Sequence, residues 1–150
     1  LVIGDVDETQ PMSADITTKL KCAKNIVHVG FQSDLRRYLS LVDVFCLPSH
    51  WEGFGNVLVE AASMGIPVIS TRGVGTRDAV SDGFNGTLVD VKSTSQLVDA
   101  MKRYLLDPEL CAKHGVNGIS WSKNFSRDEY ARNLVNFYKE AINEHKKKTV

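Results

Sequence analysis

Glu52-Gly53-Phe54-Gly55-Asn56-Val57-Leu58-Val59-Glu60-Ala61 is the stretch on which the reading of this chain turns. Immediately upstream, Val44-Phe45-Cys46-Leu47 is a short apolar run rich in branched and aromatic side chains, closed by Pro48-Ser49, and it predicts a buried strand. Downstream, Asn56 to Met64 predicts a helix that ends at Gly65, a natural residue for a left-handed helix exit. A strand, a glycine-flanked loop and a helix therefore follow one another. Gly53 and Gly55 let the backbone approach a ligand with no Cβ in the way. The helix opening at Asn56 turns its first N–H groups and positive dipole end into that loop, an arrangement suited to a pyrophosphate.

Two carboxylates bracket this turn. Glu52 precedes the helix and Glu60 lies about one turn inside it, so the pair can address opposite ends of one ligand. An ionised carboxylate only accepts hydrogen bonds and can take two from a vicinal diol. Glu60 suits ribose hydroxyls on this reading, and Glu52 suits the hydroxyls of a transferred sugar. Glu60 alone would equally well serve the helix dipole; the two carboxylates, both glycines and Pro48-Ser49 at fixed offsets argue for a site.

The rest of the chain alternates strands and helices, the pattern of a parallel sheet covered on both faces. Predicted strands are Leu1 to Ile3, Ile26 to Phe31, Val44 to Leu47, Pro67 to Thr71 and Thr87 to Val89. Leu35 to Val42 reads as a helix with Ser33 and Asp34 as candidate caps. Ser93-Thr94-Ser95-Gln96 is a capping box, followed by a core-facing stripe of Leu97, Ala100, Met101, Tyr104 and Leu105. Asp107-Pro108 caps and starts another helix, and Ser126-Arg127-Asp128-Glu129 is a second capping box that opens the last one. Its apolar stripe, Tyr130, Leu134, Phe137, Tyr138 and Ala141, is expected to pack within this domain. No internal repeat, low-complexity tract or linker interrupts the chain.

The Glu-x7-Glu arrangement, with Pro48-Ser49 before it and Gly65-Ile66-Pro67-Val68-Ile69 after it, resembles the carboxy-terminal donor-binding domain of retaining glycosyltransferases of family 4, which have the GT-B fold. The resemblance continues through Gly73-Val74-Gly75-Thr76-Arg77-Asp78-Ala79-Val80, Asp82-Gly83-Phe84-Asn85-Gly86, Leu106-Asp107-Pro108-Glu109-Leu110 and Asn124-Phe125-Ser126. Its wording is most similar to the branch that builds capsular, O-antigen and related surface polysaccharides. The fold so implied is α/β, a Rossmann-like parallel sheet with helices on both faces. Residues 1–150 would be a single nucleotide-sugar-binding domain, amino-terminally truncated, with the acceptor domain absent. In the family, terminal helices of this kind reach back toward the other domain, which offers the alternative that part of the Tyr130 to Ala141 stripe is an interface to it. In the family the strand at Leu1 is the second, preceded by a strand, a glycine-rich loop and a helix carrying a basic pair. The lost strand would lie mid-sheet, so unpaired edges and homo-oligomers, or a rearranged sheet, are expected.

By that resemblance the parent enzyme transfers a sugar from a nucleotide diphosphate sugar, preferably a UDP-sugar, to a glycan or lipid-linked acceptor with retention of configuration. Glu52 would orient the donor sugar. Gly53, Phe54, Gly55, Asn56, Val57 and Glu60 would hold the donor, with Ser49 beside them, and Phe31 and Gln32 would line the nucleobase pocket. His50 stays open between a sugar or phosphate contact and a plain loop position. The resemblance implies no cofactor and no metal; loop N–H groups, the helix end and basic side chains would balance the diphosphate charge. The alternative from another class is a stand-alone, non-catalytic nucleotide- or glycan-binding module.

Composition fits a globular domain: 150 residues, 43% hydrophobic and 24% charged. Formal net charge is zero, which leaves no basic footprint for nucleic acid. Lys146-Lys147-Lys148 reads as a frayed tail, with attraction to an anionic membrane surface as its functional alternative. No transmembrane run or signal peptide is visible, and Cys22, Cys46 and Cys111 make neither a disulfide frame nor a zinc pattern, so a cytoplasmic setting, at the inner membrane face if the acceptor is lipid-linked, is expected. Gly73-Val74-Gly75-Thr76-Arg77-Asp78 imitates a dinucleotide fingerprint but lacks its third glycine and comes too late in the chain. It reads instead as a flexible turn at the ligand edge, with Arg77 open between a ligand charge and a pairing with Asp82.

Overall fold

The computed structural model describes residues 1–7, 9 and 12–148, and these form two compact units, Leu1–Val42 and Asp43–Val150. The second unit carries a three-stranded parallel sheet. Its strands are β1 (Phe45–Leu47), β2 (Val68–Thr71) and β3 (Gly86–Val89), in that spatial order. Phe45 lies opposite Val68 and Leu47 opposite Ser70, while Val68 lies opposite Gly86 and Thr71 opposite Val89. β2 is central and buried at all four positions, which is why Val68-Ile69-Ser70-Thr71 reads as a near-continuous run rather than an alternation. The two hydroxyls in it are neutralised locally: Ser70 Oγ donates to Leu47 O at 2.7 Å, and Thr71 Oγ1 donates to Ser49 O. Together with α3 (Asn56–Ser63), α4 (Thr76–Ala79), α5 (Thr94–Leu106) and α6 (Pro108–Ser122), this is a Rossmann-like sheet with helices on both faces, as expected.

Ile69, Val89, Ala100 and Tyr104 make one buried cluster between the sheet and α5, with Val44, Cys46, Leu97, Leu110 and Cys111 packed against it. α3 buries Leu58, Ala61 and Ala62. α6 presses on α3 closely enough that a Cβ at Gly118 would meet Ala62 O at 3.0 Å. Asp107 caps α6 by accepting from Leu110 N at 2.9 Å, with Pro108 in its first turn. A 3₁₀ turn, Lys123–Phe125, leads into α7 (Arg127–Lys148).

Both predicted capping boxes form by half. Ser93 accepts from Gln96 N at 3.5 Å and Ser126 from Glu129 N at 3.2 Å. The return bonds are absent because the N–H groups of Ser93 and Ser126 already donate to Asp90 O and Lys123 O. Gln96 bonds Asp90 and Glu129 pairs with Arg132 instead. The α5 stripe is core only at Leu97, Ala100 and Tyr104, since Met101 and Leu105 are exposed.

Burial of the α7 stripe is overturned. Tyr130 is 68% exposed and Phe137 64%, with Leu134 and Tyr138 exposed as well; among the described residues α7 meets mainly the 3₁₀ turn that precedes it. The frayed tail is also corrected, as the backbone of α7 stays helical to Lys148.

In the first unit, α1 (Ala14–Cys22) starts at Ser13, which accepts from Ile16 N, and buries no residue. The predicted strands Leu1 to Ile3 and Ile26 to Phe31 reduce to isolated bridges, Val2 with His28 and Gly4 with Gly30. Gly4 at φ 119° and Gly30 at φ 66° leave the extended region, and the ladder breaks there. The helix expected over Leu35 to Val42 is one turn, α2 (Arg36–Leu39), continued by i→i+3 bonds from Leu41 N to Tyr38 O and Val42 N to Leu39 O. Asp34 does serve its amino end, accepting from Arg36 N at 3.2 Å, and that guanidinium holds its carboxyl below the usual range.

Candidate functional site

The loop Ser49–Gly55 leaves the carboxyl end of β1 and is fixed from below. Thr71 bonds Ser49 O, Ser49 Oγ donates to Trp51 O at 3.0 Å, and Glu52 N donates to Val74 O at 3.1 Å beside a parallel bridge between Trp51 and Val74. The Gly73–Gly75 segment lies so close that a Cβ on Gly73 would come 2.7 Å from His50 O, and one on Gly75 would overlap Glu52 O. Thr76 completes the clamp, donating to Thr71 O at 2.7 Å. The segment read as a flexible turn is packed backbone to backbone against the Ser49–Gly55 loop. Loops separated by some twenty residues meet here through backbone contacts, which no local sequence pattern reports.

Gly55, at φ 79° and ψ 45°, is the N-cap of α3 and offers no side-chain acceptor. The amides of Asn56 and Val57 therefore open the helix with no partner inside it, facing the loop. Asn56 and Glu60 are four residues apart and lie on one exposed helix face. Glu52 is half-buried and Glu60 exposed. Among the described residues neither carboxylate has a hydrogen-bond or ion-pair partner, so both retain full acceptor capacity. Gly53 faces open space.

Not every expected donor residue joins this group by its side chain. Phe54 turns into an aromatic cluster, 5.2 Å from Phe125 between centroids, with Trp121 against Phe125 at 5.7 Å and its indole N–H on Ala79 O at 2.9 Å. The side chain of Phe54 thereby anchors the loop, and only its backbone faces outward. Ser49 spends its hydroxyl on Trp51 O. His50 instead lines a crevice of about 140 Å³ at the carboxyl ends of the strands, with Thr71, Val89, Lys92 and Ser93, none of which the sequence marked as a ligand contact. In the first unit, Phe31 is exposed with its N–H on Asp5 Oδ1 at 3.0 Å, and Gln32 donates to Val29 O at 2.9 Å. Arg77 does not pair with Asp82: it lies 3.9 Å from Asp78, and Asp82 takes Arg72 at 2.7 Å. Cys46 is a half-buried thiol pushed up to about 11 by burial, hence protonated and inert. Among the described residues no group of three His, Cys, Asp or Glu side chains is placed to hold a metal ion.

Residues 1–121 match the family Glycosyl transferases group 1, more than three quarters of the chain. The chain belongs to that family. Among curated relatives, this group 1 glycosyltransferase chain is 33% identical over 109 residues to the lipopolysaccharide core biosynthesis glycosyltransferase LpsE of Rhizobium meliloti, covering 73% of the chain and 32% of LpsE. It is 29% identical to the capsular polysaccharide biosynthesis glycosyltransferase CapM of Staphylococcus aureus, covering 96% and 38%. It is 28% identical to the UDP-Gal:alpha-D-GlcNAc-diphosphoundecaprenol alpha-1,3-galactosyltransferase of Escherichia coli, covering 91% and 37%. The chain thus spans about a third of the length of the curated relatives it matches.

Solved structures agree on the fold. A sucrose-phosphate synthase from Thermosynechococcus elongatus superposes with TM-score 0.75 at 26% identity, over 95% of the group 1 chain and 38% of the synthase. Anabaena HepE in complex with UDP superposes with TM-score 0.75 at 23% identity, over 84% and 35%. No helix among the described residues is long and apolar enough to cross a membrane.

Proposed function

We propose that this chain is the donor-binding part of a retaining glycosyltransferase that moves a sugar from a UDP-sugar to a glycan or lipid-linked acceptor in surface polysaccharide synthesis. The observation that carries the reading is the pair of unpartnered carboxylates, Glu52 and Glu60, on either side of the open amino end of α3. A nucleotide sugar presents two diol-bearing rings joined by a diphosphate. Glu60 accepts from the ribose hydroxyls, the N–H groups of Asn56 and Val57 meet the diphosphate, and Glu52 orients the transferred sugar without acting as its nucleophile. Relatives support donor and pathway: a galactosyltransferase using UDP-Gal, a capsule enzyme, and HepE seen with UDP and with UDP-glucose. Retention rests on the resemblance of the Glu-x7-Glu pattern.

Calorimetric titration of the chain with UDP, GDP and UDP-glucose tests this. The expected result is saturable binding of UDP and UDP-glucose, weakened about tenfold or more by Glu60→Ala, in line with a hydrogen bond to a charged group. Equal affinity of the variant and the parent chain for UDP sinks the assignment of Glu60. Preference for GDP sinks the donor.

A further inference from the structure

The loop that bears Glu52 is tied down unevenly. Its first half carries hydrogen bonds, the last of them from Glu52 N to Val74 O at 3.1 Å, and the next one belongs to α3, from Leu58 N to Gly55 O at 2.9 Å. Between them, among the described residues, Gly53 and Phe54 make no hydrogen bond. That stretch is held by the Phe54 ring, 5.2 Å from Phe125. Phe125 arrives there by way of α6. Gly115, Gly118, Trp121 and Phe125 follow at intervals of three, three and four, the spacing of one helix face. The two glycines bring α6 against α3 with no side chain between: a Cβ at Gly115 would overlap Gly65 O, and one at Gly118 would come 3.0 Å from Ala62 O. α6 therefore runs along α3 from its carboxyl end, and the residues after Gly118 reach its amino end, where the donor loop enters. There the Trp121 indole N–H holds Ala79 O at 2.9 Å, and a Cβ at Gly55 would lie 3.9 Å from the Ala79 side chain. The ring of Trp121 also stands edge-on to Phe125 at 5.7 Å, so the junction of α6 with the 3₁₀ turn grips the loop as one packed unit.

We infer that Phe125, backed by Trp121, is a positioning residue for the donor loop: by holding Phe54 it fixes where Glu52 stands relative to the amino end of α3, and so favours a nucleotide that carries its sugar over the bare nucleotide. The inference rests on the donor reading above. Glu60 and the amides of Asn56 and Val57 belong to α3, which is held by the burial of its own Leu58, Ala61 and Ala62. Glu52 belongs to the loop, two residues before Phe54. Loosening the ring contact therefore acts on the side of the sugar and spares the side of the nucleotide. A loop that is not held in advance must be ordered when the sugar binds, and that ordering subtracts from affinity. The strength of one aromatic pair sets the size of the effect at about threefold to tenfold.

The test uses the whole chain and its Phe125→Ala, Phe125→Leu and Phe54→Ala variants, with Tyr104→Phe as a core change outside the site. Calorimetry reads UDP and UDP-glucose, and amide exchange of Glu52 against Ile69 reads the loop without any ligand. In Phe125→Ala the UDP-glucose affinity is expected to fall about threefold to tenfold while that for UDP stays within about twofold, and Glu52 to exchange about threefold or more faster relative to Ile69. Phe125→Leu, which keeps apolar volume and guards against a variant that does not fold, should show the same split at smaller size. Phe54→Ala and Phe125→Ala should not add in the double variant, since each breaks the same contact. Tyr104→Phe should lower the urea midpoint and move neither readout. Parallel losses for UDP and UDP-glucose, an unchanged ratio between them, or unchanged exchange of Glu52 in Phe125→Ala overturns the inference. If the parent chain binds neither ligand, the donor reading falls, and the exchange of Glu52 alone decides whether Phe125 holds the loop.

Discussion

Gly75 fixes the position of Glu52 by having no side chain. Its φ of 81° favours glycine, and any Cβ would collide with Glu52 O and sit 2.9 Å from Gly53 O. Backbone cannot yield as a side-chain tip can. Gly83, at φ 73° but facing open space, separates the two costs. Gly83→Ala is expected to lose about 1–2 kcal/mol from the left-handed backbone alone. Gly75→Ala should lose more, up to about 3 kcal/mol or beyond, and weaken UDP binding as well. Urea midpoints and calorimetry on the two variants check this; equal losses would mean that the Gly75–Glu52 approach is not constraining. At this scale the glycine at the turn and the helix start at Asn56 were legible, because each is a local requirement of the chain. The roles of Gly73 and Gly75 were not, since they depend on a second loop arriving from elsewhere. The inward turn of Phe54 has the same cause, as its partner Phe125 is seventy-one positions away.

At the scale of elements, what a helix begins with is written locally and what it packs against is not. Asp107, Ser93 and Ser126 all cap as read, while the apolar stripe of α7 is exposed. Leu58 on α3 and Leu134 on α7 make the contrast measurable. Leu58→Ala should cost about 2–5 kcal/mol, as a cavity in a packed core does, and Leu134→Ala within about 0.5 kcal/mol. A Leu134→Ala loss as large as that of Leu58→Ala would mean that α7 is buried in solution.

The α5–α6 contact carries a second prediction at this scale. Tyr104 Oη lies 2.7 Å from His114 Nδ1 and 3.1 Å from Thr87 Oγ1 in a buried chain of hydrogen bonds. Burial lowers the His114 pKa below its ordinary 6.5, helped by Arg103 and Lys113. The neutral form is therefore favoured on folding. The unfolded chain takes up the proton first as pH falls, so stability is full above about 6.5 and declines below it until the folded pKa is passed. Asp82 responds in a lower window. Burial opposes its ionisation, but the Leu88 amide and Arg72 outweigh it and hold the carboxyl below 3.8, so its contribution is lost only as pH falls under that value. Thermal melts at pH 7 and 5 should show a drop that His114→Gln removes. An equal drop in the variant would place the titration elsewhere.

For the whole molecule, the sequence order of strand and helix signals was enough to foretell a parallel, doubly covered sheet, because parallel neighbours need helical crossovers and each crossover leaves its own pattern. The amino-terminal strands were foretold wrongly, since apolar content alone does not hold a ladder open at Gly4 and Gly30. That difference should govern how the molecule opens. The first unit has an α1 that buries nothing and bridges in place of strands, whereas β2 lies fully buried between two neighbours. Free energies of opening follow burial and ladder continuity, so the two units should exchange amide hydrogens at separate levels. The amides of Val2 and Val29, bonded only across the bridge, should exchange through low-energy local opening, and those of β2 only with global unfolding. Native-state exchange across a urea series decides the point: Val2 and Val29 should show little denaturant dependence, while Ile69 and Ser70 should follow the global unfolding line. Convergence of all four on one line would mean that both units unfold as a single cooperative body, and would remove the basis for treating residues 1–42 as the weaker part.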